Sequence, residues 1–538
     1  MNLEARDTAE SAQQATVSTV TDEPRQPARR AGAERPRNVL AAAIRVLAAL
    51  DKEHVRYCHW KSVWRIDRSL RGEADLDLLI DRRQSRYAQE VLGRCGFKRF
   101  AATEATGYAA VEDYVGLDAD AGRLIHCHVH YRLILGEPNL KSYRLPWEKL
   151  LLDTRRLDAA TNIYVAESNL EMLVLLIRYA TKLRYRNIAG YLLGRDWFRE
   201  LVAEYDWIRA RVDPATCVGL CHRLLGEEAG LAFAELLRNP LTLGRLLRFR
   251  RAADVRLRLF RRYGLIARSL LRWRRGAASL VGGVNQRYLS SRRPRRRSVP
   301  TGGVVIALIG PDGCGKSTLA RDTATLLAQK LDVLLIYFGS GAGPGSLLRW
   351  PLDVLRALAA RLSVLPRGRG LPASLDQPEG GHAQRRSPIW SLALIVWALV
   401  LAREKRRKLR TAWKARDSGV IVLTDRYPQA QVLGFNDGPL LGHLANHRSR
   451  VLRWIASREA APYQWAELYP PDLVIKLNVS PETALRRKPD TGLREAKRRI
   501  EAVRKLTYPA PTAVADVDAN RPLPAVRSHV YKIVWEHI

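Results

Sequence analysis

The sequence predicts a multidomain α/β protein with three folded parts: an N-terminal α+β domain, a basic helical connector and a C-terminal domain built on a central parallel sheet. Three observations lead to this prediction. The chain has 538 residues, 47% of them apolar, which is enough for two to four domains with their own cores. Strand-like and helix-like segments alternate in both halves. Between the halves lies a segment with almost no acidic residues.

The first 37 residues differ from the rest of the chain in composition. Residues 1–37 are rich in Ala, Thr, Glu, Arg, Pro and Gln and have no apolar period, so we expect them to be disordered. They lack the continuous apolar core of a secretory signal. Six scattered cysteines in a chain of this length do not make a disulfide framework, which favours a reducing, cytoplasmic location.

Residues 38–240 carry the pattern of the first domain. A helical pattern begins near Val39, and strand-like runs follow at RYCHW and at DLDLLID, residues 75–81. Alternation returns in RLIHCHVHYRLIL, residues 123–135. From Ser168, which we predict to be an N-cap, a long stretch has the apolar spacing of a helix.

Acidic and histidine side chains mark two of these strands. Strand alternation places Asp75 and Asp77 on one face, where two carboxylates can hold a divalent metal that carries a triphosphate. The alternative is a solvated strand edge. His126, His128 and His130 also share a face, either as further metal ligands or as partly buried strand histidines.

A small residue, Ser62, follows a strand, and Asp75-Leu-Asp77 lies on the next strand. In this arrangement residues 40–190 resemble the nucleotidyltransferase superfamily. The resemblance implies a metal-dependent site for a triphosphate, with Asp75 and Asp77 as ligands. There are two departures: Lys61 replaces the usual glycine, and His128 stands where a third carboxylate is expected. Catalysis and simple ligand binding are therefore both open.

The connector, residues 241–300, carries much of the positive charge. The whole chain has 90 Lys plus Arg and 54 Asp plus Glu, so its formal charge is 90 − 54 = +36. Residues 241–297 hold eighteen arginines and one acid, Asp254, giving 18 − 1 = +17. Such a block attracts nucleic acid, anionic lipid or phosphorylated glycans, although no nucleic-acid module is recognisable. Peripheral attachment to the inner membrane surface is thus an alternative location. We predict that residues 290–303 are a linker.

A phosphate-binding motif opens the C-terminal domain, residues 301–538. Gly310-Pro-Asp-Gly-Cys-Gly315-Lys316-Ser317 fits G-x-x-x-x-G-K-[ST], follows the apolar run VVIALIG and begins a helical pattern. Backbone N–H groups of such a loop surround phosphates, Lys316 reaches the β- and γ-phosphates, and the Ser317 hydroxyl ligates Mg²⁺. The motif predicts ATP and Mg²⁺ as ligands. The predicted nucleotide-binding residues are Gly310, Asp312, Gly313, Cys314, Gly315, Lys316, Ser317 and Thr318.

A second apolar run, GVIVLTD, ends at Asp425 and is followed by Arg426 and Tyr427. An acid at the end of a neighbouring strand holds or orients Mg²⁺ in proteins of this type. The ordered set GPDGCGKST, GVIVLTDRYP, PDLVIKLNVSPETALRRK and VADVDANRPLPAV makes residues 301–538 resemble thymidylate kinase.

The resemblance implies a role for each of several residues. Asp312 would face the acceptor, Arg426 would hold its phosphate with Tyr427 alongside, and Asp425 would order the metal. Arg403 sits where such kinases place an acceptor-contacting arginine. The stretch from Arg487 to Arg498 would form a lid over ATP, with Arg487 catalytic.

On the acceptor side the sequence differs from that of thymidylate kinase. The Thr-Arg-Glu-Pro-Gly segment of thymidylate kinase is missing, and YFGSGAGPGS, residues 337–346, stands in its place. Residues 363–387 form an unusual insertion that we expect to be a mobile loop. The acceptor is therefore a phosphorylated small molecule of open identity: a nucleoside monophosphate, or a sugar or glycan-linked group at a membrane. An ATP-regulated protein that binds nucleic acid or membrane is the non-enzymatic alternative, and a homodimer is also an open prediction.

The apolar run at residues 388–402 has fifteen residues, whereas a spanning helix needs about 20. A buried core helix, a membrane-associated helix and a partner interface are the alternatives.

Overall fold

A computed structural model describes residues 39–137, 139–183, 197–288, 294–339, 388–433, 438–489 and 492–538. The predictions for residues 1–37 and 363–387, and most of 337–346, lie outside the described residues. Within them the chain is a multidomain α/β protein with one mixed and one parallel sheet.

The N-terminal domain is built on a seven-stranded mixed sheet in the order β3-β4-β5-β2-β1-β9-β8. In its centre β2 and β5 run parallel, so that Asp77 pairs with His128. Beside the sheet β6 and β7 form a separate antiparallel pair. The strands are β1 Tyr57–His59, β2 Leu76–Ile80, β3 Lys98–Phe100, β4 Val111–Asp118, β5 Arg123–His130, β6 Leu133–Leu135, β7 Tyr143–Leu145, β8 Arg156–Asp158 and β9 Ile163–Val165.

Helices cover both faces of this sheet. One face packs Leu76, Leu78 and Val129 against α1 and α3. The other carries the acidic and histidine side chains and is covered in part by the helices that begin at α5. The N-cap of α5 is Glu167, whose carboxylate accepts from two backbone N–H groups, so Ser168 is the first helical residue rather than the cap. The helices are α1 Ala41–Lys52, α2 Ile66–Leu70, α3 Ser85–Arg94, α4 Glu148–Asp153, α5 Ser168–Lys182, α6 Trp197–Arg209, α7 Pro214–Leu225 and α8 Glu227–Arg238.

The basic connector contains two helices, α9 Leu243–Leu257 and α10 Leu265–Tyr288. The apolar face of α9 is buried in the helical core. Along one side of α10, Arg268 and Arg272 bind the buried carboxylate of Glu137. The opposite side exposes Ile266, Leu270 and Trp273, each more than 60% accessible to solvent, in a stripe with spacing of four and three residues.

The C-terminal domain has a five-stranded parallel sheet in the order β11-β12-β10-β13-β14. Because β10 lies in the middle, the phosphate loop that follows it emerges between two neighbouring strands. The strands are β10 Val305–Ile309, β11 Val333–Tyr337, β12 Ile421–Asp425, β13 Leu473–Asn478 and β14 Ala513–Asp518. The helices are α11 Lys316–Leu327, α12 Pro388–Asp417, α13 Arg450–Leu468, α14 Pro481–Arg487, α15 Leu493–Lys505 and α16 Leu523–His537.

The apolar run 388–402 is the first half of α12, which continues through a basic stretch to Asp417. Leu394, Ala398 and Leu401 are buried against α13, whereas Leu392 is 62% exposed. None of the helices in the described ranges combines the length and the apolarity needed to cross a bilayer.

The two domains share one apolar core. Phe100 and Val115 of the first domain pack into the same cluster as residues of α11 and α16. The predicted linker takes part in this contact where the structure describes it. Arg297 donates to Asp113 at 2.8 Å, and Ser298 pairs with Ala101 as in an antiparallel sheet. Residues 297–299 therefore hold the domains together instead of serving as a free spacer.

Candidate active site at the phosphate loop

The loop after β10 has the backbone conformation that its glycines allow. Gly313 and Gly315 have φ of 82° and 94°, a region that costs energy for other residues. A Cβ on Gly313 would lie 2.7 Å from the Ala484 carbonyl oxygen. Around Gly315, by contrast, a Cβ would meet no atom within 4 Å. The loop is thus packed on one side and open on the other.

Lys316 begins helix α11 and places its ammonium inside the loop. Its side chain is 5% exposed, and Nζ donates to the Pro311 carbonyl oxygen at 2.8 Å. The same Nζ lies 4.0 Å from an oxygen of Asp312. The positive end of α11 points into the same space, since its first N–H groups have no acceptor within the helix. An anion in the loop would therefore meet a cation and a helix terminus together.

Asp425 and Ser317 meet beside this space. The parallel pairing of β12 with β10 sets Asp425 opposite Leu308, next to the start of the loop. Ser317 Oγ donates to Asp425 Oδ2, while Oδ1 of this buried carboxylate has no hydrogen-bond partner within the described chain. A carboxylate oxygen with free lone pairs beside a hydroxyl suits a hard divalent cation such as Mg²⁺. These two residues therefore fit the predicted metal.

Asp312 collects cations from three separate segments. Arg426 Nη2 donates to Oδ1 at 2.8 Å, Lys488 Nζ to Oδ2 at 3.0 Å, and Arg499 also donates to Oδ2. Burial by itself would raise the pKa of the Asp312 carboxyl, but Arg426, Lys316, Lys488 and Arg499 outweigh burial and hold this pKa well below its usual range. One carboxylate thus organises a group of four cations beside the loop.

A cavity of about 210 Å³ adjoins the outer side of the loop. Gly315 and Thr318 line it from the loop and the first turn of α11, and Arg487 and Arg521 line it from the opposite side. Arg487 reaches this position because α14 begins at Pro481, capped by the Ser480 hydroxyl, and ends at the cavity. The structure therefore brings the first residue of the predicted lid next to the loop.

Two residues of the predicted acceptor set lie elsewhere. Arg403 is on the exposed side of α12, where no contact with the Asp312 cluster is found among the described residues. Tyr427 is 2% exposed and its hydroxyl donates to the Tyr469 carbonyl oxygen at 2.6 Å, so its ring belongs to the core. On α12 it is Lys408 that reaches the strand ends, donating to the Tyr337 carbonyl oxygen at 2.6 Å.

The lid predicted from the sequence includes Lys488 without giving it a role, and Arg499 and Arg521 were missed. The run of basic residues after Arg486 marked the region, but the range predicted for the lid stopped one residue before Arg499. Glu495 binds Arg499 from one helical turn earlier and directs it toward Asp312. This i, i+4 acid–base pair is the signal in the sequence that could have identified Arg499.

In the N-terminal domain Asp77 already has a cation. Lys61 Nζ lies 2.7 Å from Asp77 Oδ1, and the same oxygen is 3.0 Å from His128 Nδ1. Ligand atoms of Asp77, His128 and His130 lie within 4.8 Å of one another, so they could hold a metal ion. A metal at this oxygen would have to displace Lys61.

Asp75 makes a different set of contacts. Its Oδ1 is 2.8 Å from His126 Nδ1 and 3.0 Å from Nζ of Lys330 in the other domain. His126 also binds Asp113 through Nε2, at 2.7 Å. Burial would lower the pKa of His126, but the carboxylates of Asp113 and Asp75 outweigh it and raise this pKa. Because each of the two aspartates binds its own cation, they do not fit a site in which both hold one metal.

Ser62 and two residues of α5 lie near Asp77. Ser62 has φ of 55°, and its hydroxyl accepts from Arg178 at 3.4 Å, while Arg178 pairs with Glu204 at 2.9 Å. Glu171, which sequence reasoning missed, accepts from the Val63 N–H, and burial raises its pKa to about 8.

The parallel sheet, the loop after its central strand and the helix that begins at Lys316 define the chain as a P-loop protein. It is 32% identical over 236 residues to a protein of Escherichia coli (strain K12) named "uncharacterized ATP-binding protein YghR". This match covers 43% of the chain and 86% of YghR. A second protein of the same strain, "uncharacterized ATP-binding protein YghS", is 31% identical over 220 residues, which is 40% of the chain and 86% of YghS. The chain belongs to the family of YghR and YghS. No family model matches it.

Proposed function

We propose that this protein is an ATP- and Mg²⁺-dependent phosphotransferase whose C-terminal domain resembles thymidylate kinase. The observation that carries the proposal is the meeting of Lys316, Ser317 and the unpartnered oxygen of Asp425 at one phosphate loop. The relatives YghR and YghS are named ATP-binding proteins, which supports the choice of nucleotide.

Different residues at the loop bind the phosphates, the metal and the nucleoside. Backbone N–H groups of the loop and of the first turn of α11 bind the phosphates. Lys316, which donates to Pro311 in the structure, turns to the β- and γ-phosphates. Ser317 and Asp425 hold Mg²⁺, which when bound neutralises charge on these phosphates. The cavity lined by Arg487 and Arg521 receives the nucleoside.

The acceptor side is organised by Asp312. Arg426, Lys488 and Arg499 surround its carboxylate, and an incoming phosphate on the acceptor would compete for the same cations. Phosphoryl transfer requires positioning and charge stabilisation more than covalent chemistry, so such a cluster is suited to it. The acceptor is a phosphorylated small molecule, either a nucleoside monophosphate or a sugar or glycan-linked group.

The resemblance of the N-terminal domain to nucleotidyltransferases remains a prediction. The strand positions of Asp75 and Asp77 favour it, and the contact between Lys61 and Asp77 weighs against a metal at that position. The contacts of the two aspartates support ligand binding without nucleotidyl transfer.

Lys316→Ala tests the proposal. Loss of the ammonium should lower ATP turnover at least about 100-fold, since it removes a charge that stabilises the transferring phosphoryl group. Turnover is read as ADP release with a panel of phosphorylated acceptors, and calorimetry with ATP and Mg²⁺ reports binding. Lys149→Ala is the matched control, because Lys149 is 83% exposed and lies in the other domain. Full turnover in a folded Lys316→Ala protein would refute the proposal.

A second candidate is peripheral attachment to an anionic membrane through α10. The exposed stripe of Ile266, Leu270 and Trp273 favours it, because an apolar face beside many arginines is suited to a lipid surface. Such attachment describes location and is compatible with the phosphotransferase.

A further inference from the structure

Four arginines line one small cavity on the N-terminal domain, away from the phosphate loop. The cavity has a volume of about 290 Å³, and its basic lining residues come from four separate places along the chain. Arg82 starts a turn of 3-10 helix, Arg132 lies between β5 and β6, Arg144 is in β7, and Arg262 comes from the connector. Ala109, Ala110 and Ile134 complete the lining.

Little negative charge balances these arginines. Arg144 Nε lies 4.0 Å from Glu148 Oε1, which also accepts from the Leu133 N–H. In the described ranges no carboxylate lies within ion-pair distance of Arg82, Arg132 or Arg262. Arg262 donates instead to a backbone carbonyl, at 3.3 Å. The four guanidinium groups thus face one carboxylate.

Burial and like charge act together on Arg132. Burial, and then the nearby charges of Arg144 and Arg82, lower the pKa of Arg132 from its ordinary value. Placing side chains of like charge close together in a concave site costs free energy. A bound anion removes this cost. Arginine presents a planar pair of N–H donors that matches the oxygens of a phosphate. The cavity is at the small end of the range for ligand pockets, about 300 Å³, so it suits a phosphate group with a short substituent.

We propose that this four-arginine cavity is a binding site for a phosphate monoester. The site is independent of the proposed phosphotransferase site, since none of its residues belongs to the phosphate loop or to the Asp312 cluster. Because Arg262 belongs to the connector and the other three arginines belong to the domain, a bound phosphate would tie the two together. The phosphate could belong to a soluble metabolite or to a lipid headgroup, and the chemistry of recognition is the same for both.

The test compares arginines inside and outside the cavity in the full-length protein. A Lys316→Ala background weakens phosphate binding at the loop. Inorganic phosphate and glycerol 3-phosphate are then titrated by calorimetry into this parent and into variants carrying Arg82→Gln or Arg132→Gln. We expect binding at least tenfold weaker in both variants, because each loses a charge-assisted contact. Arg83→Gln is the matched control and should bind like the parent, because Arg83 is exposed beside Arg82 but does not line the cavity.

Vesicles of phosphatidylcholine with and without phosphatidic acid separate the two sources of phosphate. Retention on phosphatidic acid that Arg82→Gln abolishes would assign the site to a lipid headgroup. Binding of the soluble probes alone would assign it to a metabolite. Equal phosphate affinity in the parent, Arg82→Gln and Arg132→Gln would overturn the proposal, as would no binding at millimolar phosphate. ATP turnover of Arg82→Gln with Lys316 intact should be unchanged, which keeps this test separate from that of the kinase.

Discussion

At the scale of single residues, the site depends on a strained position. Arg426 has φ of 70°, in the left-handed region that costs a non-glycine residue roughly 1–2 kcal/mol. Its N–H donates to the Leu308 carbonyl oxygen at 2.9 Å, and its guanidinium donates to Asp312. The strained backbone turns the side chain away from the line of β12 and toward the loop. A sequence motif can name Arg426, but it does not report this conformation.

Buried histidines give the N-terminal domain a predictable response to acid. His59 ends β1, is 1% exposed, and neither ring nitrogen has a hydrogen-bond partner among the described residues. Burial lowers its pKa to about 4, from an ordinary value near 6.5. Between these values the unfolded state binds a proton that the folded state does not, so stability falls as pH drops from 6.5 to 4. His59 alone should contribute about 3 kcal/mol to this loss.

Urea unfolding at several pH values measures this effect. His59→Leu should reduce the loss of stability between pH 6.5 and 4, because the variant has no buried imidazole to protonate there. His529→Leu changes an exposed histidine and should leave the pH dependence as it is. An unaltered slope in His59→Leu would show that the buried imidazole is not responsible.

At the scale of elements, local sequence patterns correctly predicted the positions of residues that lie at the end of a strand or the start of a helix. Asp425 ends a buried strand that pairs in parallel with β10, so strand order alone placed it beside Ser317. The predictions for Arg403 and Tyr427 depend on something that strand order does not determine, namely how the element that carries each residue is rotated about its own axis. Helix α12 turns Glu404 and Lys408 toward the sheet and leaves Arg403 in solvent. No periodicity specified that rotation, since α12 is apolar at one end and basic at the other.

Long-range contacts could not be predicted for a related reason. Asp75 pairs with Lys330, a residue 255 positions away in the other domain. Its neighbour on the same strand face, Asp77, instead pairs locally with Lys61. Alternation placed the aspartates on one face, as the sequence indicates, but the docking of the second domain determines what Asp75 binds.

Helix α10 supports a prediction about membranes. Its inner side is held by Glu137, so the exposed stripe of Ile266, Leu270 and Trp273 is free to meet lipid without unfolding. We expect the protein to float with phosphatidylserine vesicles at low salt and to bind less at high salt. Trp273→Asp should weaken flotation at least about tenfold, since it replaces an exposed apolar group that would enter the lipid with a charge that repels it.

Trp454→Asp is the matched control for this experiment, because Trp454 is 57% exposed on α13, outside the connector. Equal flotation of both variants, or no flotation of the unchanged protein, would exclude α10 as the attachment surface.

At the scale of the whole molecule, helix α11 separates the phosphate loop from Asp75. Lys316 and Ser317 stand at its first turn, while Lys330, just beyond its last turn, binds Asp75. Twelve residues of helix span about 18 Å. One small ligand therefore does not contact the phosphate loop and Asp75 at the same time. Any coupling between the phosphate loop and Asp75 would be transmitted through α11, and any ligand common to both would move between them by diffusion.

We expect the shared core to make the two domains unfold together. Trp535 of α16 is 7% exposed, lies 6.1 Å from the ring of Phe100 and donates to the Gly96 carbonyl oxygen at 3.0 Å. Trp535→Ala should lower the free energy of unfolding by about 3–5 kcal/mol. It should also divide one calorimetric transition into two, because the cluster it opens joins the domains. Trp454→Ala removes an exposed tryptophan and should keep a single transition. ATP turnover of Trp535→Ala below its first transition should persist, since the ring contact and hydrogen bond of Trp535 are with Phe100 and Gly96 of the first domain. A single, unshifted transition in Trp535→Ala would mean that the two domains are not coupled through this core.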